Sequence, residues 1–252
     1  MGRRPRRPLV SATSLVGDIA PPRPTRPSFD PEAVPLDPAF DDPAVRGAAV
    51  DPQRLSALAV RQHFAAPPVW TPEINMDARL AQLDEPPRPA AVLVPLVQRP
   101  NGLSVLLTQR TAHLHDHAGQ ISFPGGRVEE KDASPTDTAL RETREEIGLA
   151  PHAVELIGKL PDYLVATGYQ VTPVVGLIES DFTLRLDEFE VAEVFEVPLV
   201  FLMDPANHER RVVVVGGISR TFYAMPYLGR RRYFIWGATA AMLRNLYHFL
   251  RS

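Results

Sequence analysis

The chain has 252 residues, is 44% apolar, carries a formal charge of -3 and contains no cysteine. Disulfides, thiolate metal sites and cysteine nucleophiles are therefore excluded, and there is no basic excess to draw nucleic acid. No run of about 18 apolar residues occurs, so no membrane partner or spanning helix is expected.

The first twenty residues, MGRRPRRPLVSATSLVGDIA, place basic residues ahead of a short, mildly apolar patch. A secretory signal has that order, and an organelle transit peptide fits the Arg and Ser content slightly better. The plainer reading is a disordered tail on a cytoplasmic protein, which the lack of cysteine also suits. Of the 27 prolines, 17 fall at or before Pro89, which blocks ladders and long helices there. Residues 1–50 read as disordered or loosely packed, within a Pro-rich extension over 1–87. One exception stands inside it. Asp51 can cap, Pro52 suits a first turn, and Leu55, Leu58, Ala59 and His63 follow helical spacing, so a helix is expected over about 52–65.

Ordered alternation begins near residue 88 and marks a domain over 88–252. Two apolar runs flank Asn101-Gly102, a hairpin signal, and Pro95 inside the first run argues for an edge or a bulge. Further strands are expected at ELIGKLPDYLV, YQVTPVVGLIE, RRVVVVGG and RTFYAMPYL. The closing GATAAMLRNLYHFLRS puts Ala240, Leu243, Leu246, Tyr247 and Leu250 on one helical face. Strands mixed with two or three helices give an α/β class.

Ser134-Pro135-Thr136-Asp137 is a helix start, and Gly148 a left-handed stop with Leu149 after it, so a helix runs from about 135 to 147. Ala139, Leu140, Thr143 and Ile147 form its core stripe. Glu142, Glu145 and Glu146 share another face at three- and four-residue spacing. A solvated acidic surface, neutralised by Arg141 and Arg144, is the bland alternative. Two features oppose it. The acids crowd the helix C-terminus, where the dipole disfavours anions. Gly125-Gly126 also lies just upstream, where backbone can approach a ligand. A carboxylate cluster of this kind suits Mg²⁺ or Mn²⁺ bridging to phosphates, with Glu142 and Glu146 as first ligands and Glu145 next.

Gly126, Asp132 and the run Arg141 to Leu149 resemble a Nudix box, G-x5-E-x7-R-E-U-x-E-E-x-G-U, where U is a bulky aliphatic. Asp132 stands for the first Glu, one extra residue precedes Arg141, and Thr143 takes an aliphatic position. Upstream, LLTQRTAHLHDHAGQISFPGG is similar to the signature of the coenzyme A pyrophosphatase branch. Leu106, Leu107, Thr108, Arg110, Gly119, Phe123, Pro124, Gly125 and Gly126 match in register. Thr111 replaces a Ser or Ala, and His115 replaces an Arg. The resemblance covers about 90–250. It implies a Nudix α/β/α sandwich with a mixed β-sheet, and metal-dependent cleavage of coenzyme A or acyl-CoA to 3′,5′-ADP and 4′-phosphopantetheine or its acyl form. Arg141 is expected to hold a carboxylate, either Asp132 or a catalytic Glu. The general base is sought among box glutamates and Glu188, Glu190 and Glu193, of which Glu190 and Glu193 match acidic positions of the branch. Thr108, Arg110, Gln120, Gly125 and Gly126 are candidate substrate contacts, and Phe222, Tyr223 and Tyr227 candidate adenine-stacking rings or plain core.

Rival readings follow from particular residues. His115 keeps alive another nucleoside diphosphate substrate, such as ADP-ribose, a dinucleotide or an oxidised nucleotide. His113, His115 and His117 with Asp116 suggest Zn²⁺, against the simpler reading of an exposed loop near the phosphate site. A non-catalytic Nudix-like binding domain is disfavoured because no box glutamate is lost. The Pro-rich arm could dock a partner in extended form. A homodimer stays open.

Overall fold

A computed structural model describes residues 29–74, 85–113, 119–215 and 217–252. Its centre is an eight-stranded mixed sheet of β1 (Arg88–Arg99), β2 (Gly102–Arg110), β3 (Ile121–Ser122), β4 (Gly125–Arg127), β5 (Val154–Lys159), β6 (Tyr163–Val165), β7 (Tyr169–Ile178) and β8 (Val191–Pro198). The main path runs β3-β2-β1-β7-β5, with β4 on β1, β6 on β7 and β8 on β2. Only β1 and β7 pair in parallel; the other pairs are antiparallel. A second antiparallel sheet joins β9 (Glu209–Val215), β10 (Ile218–Leu228) and β11 (Arg232–Trp236). Among the described residues the α-helices are, in chain order, α1 (Pro43–Arg46), α2 (Ala57–Ala65), α3 (Pro135–Ile147), α4 (Leu199–Leu202) and α5 (Ala238–Arg251). Among the described residues no helix is long and apolar enough to cross a membrane.

Both faces of the central sheet are covered, so β1 is apolar almost throughout rather than alternating. Ala91, Leu93 and Val97 pack with Ala139 and Ile147 of α3, while Val94 and Leu96 pack towards Leu243, Leu246 and Leu250 of α5. This is the α/β/α sandwich with a mixed sheet.

Pro95 is neither at an edge nor in a bulge. It sits mid-sheet opposite Gly176 of β7, and on the other side of β1 it falls between two ladders, β4 at residues 90–92 and β2 at 96–99. A residue without an N–H fits where that ladder is interrupted. The hairpin turn is Pro100-Asn101, since Arg99 faces Gly102, so Gly102 opens β2 with φ 112°. ELIGKLPDYLV forms two strands, β5 and β6. The helix expected over 52–65 is split as well. Pro52–Leu55 is a 3₁₀ turn capped by Asp51, and α2 starts anew behind Ser56, whose Oγ accepts from the Ala59 amide at 3.2 Å. The restart turns the helix, so Val60 is buried and Leu58 exposed. From Phe29 the proline-rich segment packs on the domain, with Val34, Phe40, Val50 and Leu55 buried.

Candidate active site

Capping residues set the rotation of α3. Ser134 Oγ accepts from the Asp137 amide at 3.3 Å and donates to Asp137 Oδ2 at 2.8 Å, and Gly148 ends the helix at φ 71°. Thr138, Ala139, Thr143 and Ile147 are buried and Leu140 is half-buried, which turns Glu142 and Glu146 towards β4. A Cβ at Gly126 would lie 2.4 to 2.6 Å from the Glu142 carboxylate, so the missing side chain is the space that carboxylate occupies. Gly125 lies at φ 153°, where a Cβ would meet Ala91 O at 2.4 Å and Val92 Cα at 2.5 Å. Its amide donates to Glu146 Oε2 at 3.2 Å.

Glu146 is 5% exposed. Burial pushes its carboxyl up to about 8, against the opposing pull of Arg110 and the Gly125 amide. Arg110 reaches Glu146 Oε1 at 3.4 Å and Glu190 Oε2 at 3.7 Å, so it stands between two carboxylates. Burial also raises Glu142.

Arg141 ties the segment together. Its Nε and Nη2 donate to Asp132 at 2.9 and 2.8 Å, its Nη1 to Glu142 at 2.9 Å and Glu145 at 3.0 Å, and its Nη2 to the Arg127 carbonyl at 3.1 Å. The guanidinium holds Asp132 well below the usual carboxylate range. Asp132 also accepts from the Glu129 amide and Thr138 Oγ1, each at 2.9 Å. It therefore buckles the loop before α3 to the helix. Glu145 points outward, its side chain 55% exposed, and lies 4.0 Å from Lys131.

The remaining candidates separate. Gln120 accepts the Arg110 amide through its carbonyl, at the edge of the site. Thr108 is buried, its hydroxyl bonded to Ser122 O at 3.2 Å inside the sheet, which leaves it no free face for substrate. Glu193 shares the β8 face of Phe195 and Val197, turned towards α5, and accepts from Tyr233 Oη at 2.7 Å and Arg231 Nη2 at 2.5 Å. Burial pushes its carboxyl up, and these donors outweigh it, for a net shift downward. The structure does not bring it to Glu146. Glu188 is exposed. Phe222 stacks on Phe29 and packs edge-on to Trp236, Tyr223 packs on Phe40, and Tyr227 on Phe201, so these rings are spent on packing. His115, Asp116 and His117 lie outside the described residues. Sequence reasoning passed over Asp187, whose amide donates to the Glu146 carbonyl at 2.9 Å and whose carboxylate accepts the Phe189 amide at 2.9 Å. An Asx-turn signal, Asp187 two residues before Phe189, was there to find.

Among the described residues, no three His, Asp or Glu side chains converge as a ready-made metal site. Glu142 and Glu146 offer hard oxygen donors on one helix face, both raised because burial penalises their charge. A cation would relieve that penalty. The pair fits an Mg²⁺-like ion, which commonly takes one or two protein carboxylates and completes its shell with water and substrate phosphate.

Residues 87–213 match the NUDIX domain family. Nudix hydrolase NudL of Escherichia coli, itself described as uncharacterized, is 46% identical over 159 residues, 63% of this chain and 81% of that protein. Among solved structures, the Nudix hydrolase RenU of M. smegmatis aligns with a TM-score of 0.40 at 22% identity, over 46% of this chain and 73% of its own. The Nudix domain of Shewanella oneidensis NrtR, solved with ADP ribose, aligns with a TM-score of 0.37 at 24% identity, over 50% of this chain and 84% of its own. With the family match spanning half of the chain and NudL matched over most of its length, the chain belongs to the Nudix hydrolase family.

Proposed function

We propose that this Nudix hydrolase cleaves the diphosphate of coenzyme A or acyl-CoA, releasing 3′,5′-ADP and 4′-phosphopantetheine or its acyl form. The observation that carries it is the Leu106–Gly126 stretch, similar to the coenzyme A pyrophosphatase signature, running directly into the glycines beneath Glu142 and Glu146.

Glu142 and Glu146 would hold Mg²⁺ or Mn²⁺, which supplies neutralisation of the phosphate oxygens and acidifies a bound water. Arg141 keeps Glu142 in place against Gly126. Gly126 leaves the Glu142 carboxylate its room and the Gly125 amide donates to Glu146, so β4 would set both ligands beside the diphosphate. Arg110, already placed between two carboxylates, orients a phosphate oxygen by its charge. Glu190 is the better candidate for taking the proton of the attacking water, because it faces Arg110 while Glu193 is engaged on the other sheet face. His115, in place of the Arg of that signature, favours a second reading in which the substrate is ADP-ribose or a dinucleotide.

The test is incubation of the full chain with coenzyme A and Mg²⁺ or Mn²⁺, with products read by mass spectrometry. Both products are expected, with a loss of at least about 100-fold in Glu146→Gln. Intact coenzyme A alongside cleaved ADP-ribose would move the assignment to the second reading.

A further inference from the structure

Phe189 is 65% exposed, and every other Phe, Tyr or Trp among the described residues is buried or half-buried. Water penalises such a ring unless something covers it. Its backbone is nonetheless firmly held. The Phe189 amide donates to Asp187 Oδ1 at 2.9 Å, and Thr111 Oγ1 donates to the Phe189 carbonyl at 2.7 Å. The Thr111 amide donates to the Glu190 carbonyl at 2.9 Å, and the Asp187 amide to the Glu146 carbonyl at 2.9 Å. The turn is thus bolted to the last turn of α3 on one side and to the end of β2 on the other. It presents an apolar ring one residue from Glu190 and next to Arg110. The His113 ring lies 4.8 Å from it at 60°, a second flat surface at the same corner.

We infer that Phe189, with His113 beside it, is the stacking platform for the planar base of the substrate. This rests on the reading that the Glu146 site takes a nucleoside diphosphate derivative. A base is joined to its diphosphate through a single ribose, so it has to find its surface close to the groups that hold the phosphates, and Phe189 precedes Glu190, whose carboxylate lies 3.7 Å from Arg110. The rings first suspected from sequence cannot serve, since Phe222, Tyr223 and Tyr227 are packed. All the bonds that shape the turn come from backbone, Asp187 and Thr111, so removing the Phe189 ring leaves them in place.

The test uses the full chain with Mg²⁺ and two probes: fluorescent etheno-ADP, which carries a base, and imidodiphosphate, which does not. Phe189→Ala is expected to weaken etheno-ADP about tenfold, in line with loss of one base–aromatic stack, and to leave imidodiphosphate unchanged. Phe189→Trp restores etheno-ADP binding, and His113→Ala gives a smaller loss in the same direction. Equal etheno-ADP affinity in wild type and Phe189→Ala, a matching loss for imidodiphosphate, or no binding of etheno-ADP to wild type each overturns the platform. Turnover of coenzyme A and ADP-ribose is read on the same samples. Turnover without a Phe189 effect sinks the platform alone; a Phe189 effect without turnover sinks the substrate assignment alone.

Discussion

The nearest atoms to a Cβ at Gly126 are those of the Glu142 carboxylate, the far end of a flexible side chain. Gly126→Ala should therefore fold with a melting temperature close to wild type, because Glu142 swings aside. The displaced carboxylate should lower kcat by about 100-fold, the scale expected when a catalytic group moves by about 1 Å. Gly125→Ala meets main chain on β1 instead and is held at positive φ, so it should lose about 2–4 kcal/mol of stability. Thermal melts and kinetics on the pair separate the two; unchanged kcat in Gly126→Ala would mean that this contact does not position Glu142. Glu146 gives a test at the same scale. Its carboxyl sits at about 8 in the fold against 4.5 for the free group, so between those values the folded protein keeps a proton that the unfolded chain releases. Stability should then fall as pH rises from 4.5 to 8. In EDTA at pH 8, Glu146→Gln should be more stable than wild type by on the order of 2 kcal/mol, with the gap closing towards pH 4. Added Mg²⁺ should narrow or reverse the order by stabilising wild type alone. A variant no more stable than wild type at pH 8 would show that Glu146 is not strained by its burial.

Helix α5 carries a second densely charged buried group, away from Glu146. Arg244, 2% exposed, donates to Glu73 through Nε at 2.9 Å and Nη2 at 2.5 Å, and its Nη1 lies 3.1 Å from His208 Nδ1. His248 Nε2 lies 2.8 Å from Glu73, and Asn245 pairs with the Glu73 main chain. Burial pushes the Glu73 carboxyl up, but Arg244 and His248 override it and hold it at about 2. A depressed carboxyl stabilises above its free value of 4.5, and that stability is lost as pH falls towards 2. Glu73→Gln should cost about 3 kcal/mol at pH 7, much of it from leaving Arg244 buried and unpaired. Urea melts at pH 7, 4 and 3 should show that cost shrinking, and a constant gap would remove the charge of Glu73 from the account. Legibility at this scale follows how local the signals are. α3 is readable because Ser134, Pro135 and Gly148 write its ends within one segment. β8 is not, because Glu193 and Glu196 interrupt its apolar pattern and make sense only once Arg231, from the turn between β10 and β11, and Arg99, from the end of β1, reach them. The same holds for the site. Arg141, Glu142 and Glu146 follow from helical spacing, whereas the faces taken by Thr108, Arg110 and Glu193 depend on register and on the irregularity between Gln109 and Arg110.

Within the described residues 29–74, three prolines read as breakers open turns that organise the segment. Asp37-Pro38, Asp42-Pro43 and Asp51-Pro52 each open a short turn, with the Asp carboxylate accepting the amide two residues on at 3.0, 2.9 and 2.9 Å. These turns let a helix-poor segment wrap the second sheet and α5. Leu36 bridges to Arg211 of β9, Arg211 donates to the carbonyls of Glu32 and Val34, and the Val50 amide donates to Met203 O. Phe64 and Trp70 pack on Phe249 with ring centroids 4.5 and 5.5 Å away. None of these contacts touches Glu142, Glu146 or Arg110, so the segment acts on the molecule through stability. Five of its side chains, Val34, Phe40, Val50, Leu55 and Val60, are buried. At about 1.5–3 kcal/mol each, their loss with that of Glu73 rivals the whole stability of an ordinary domain, about 5–15 kcal/mol. A chain beginning at Phe29 retains every one of these contacts, and a chain beginning at Glu85 retains none. The first should melt cooperatively and turn over substrate. The second should lack a cooperative melt, expose Phe249 and Tyr247, and aggregate, with its activity lost through unfolding. Circular dichroism and turnover on the two chains decide it: a cooperative melt of the shorter chain within a few degrees of the longer would make residues 29–74 an appendage, and the core would then close without them.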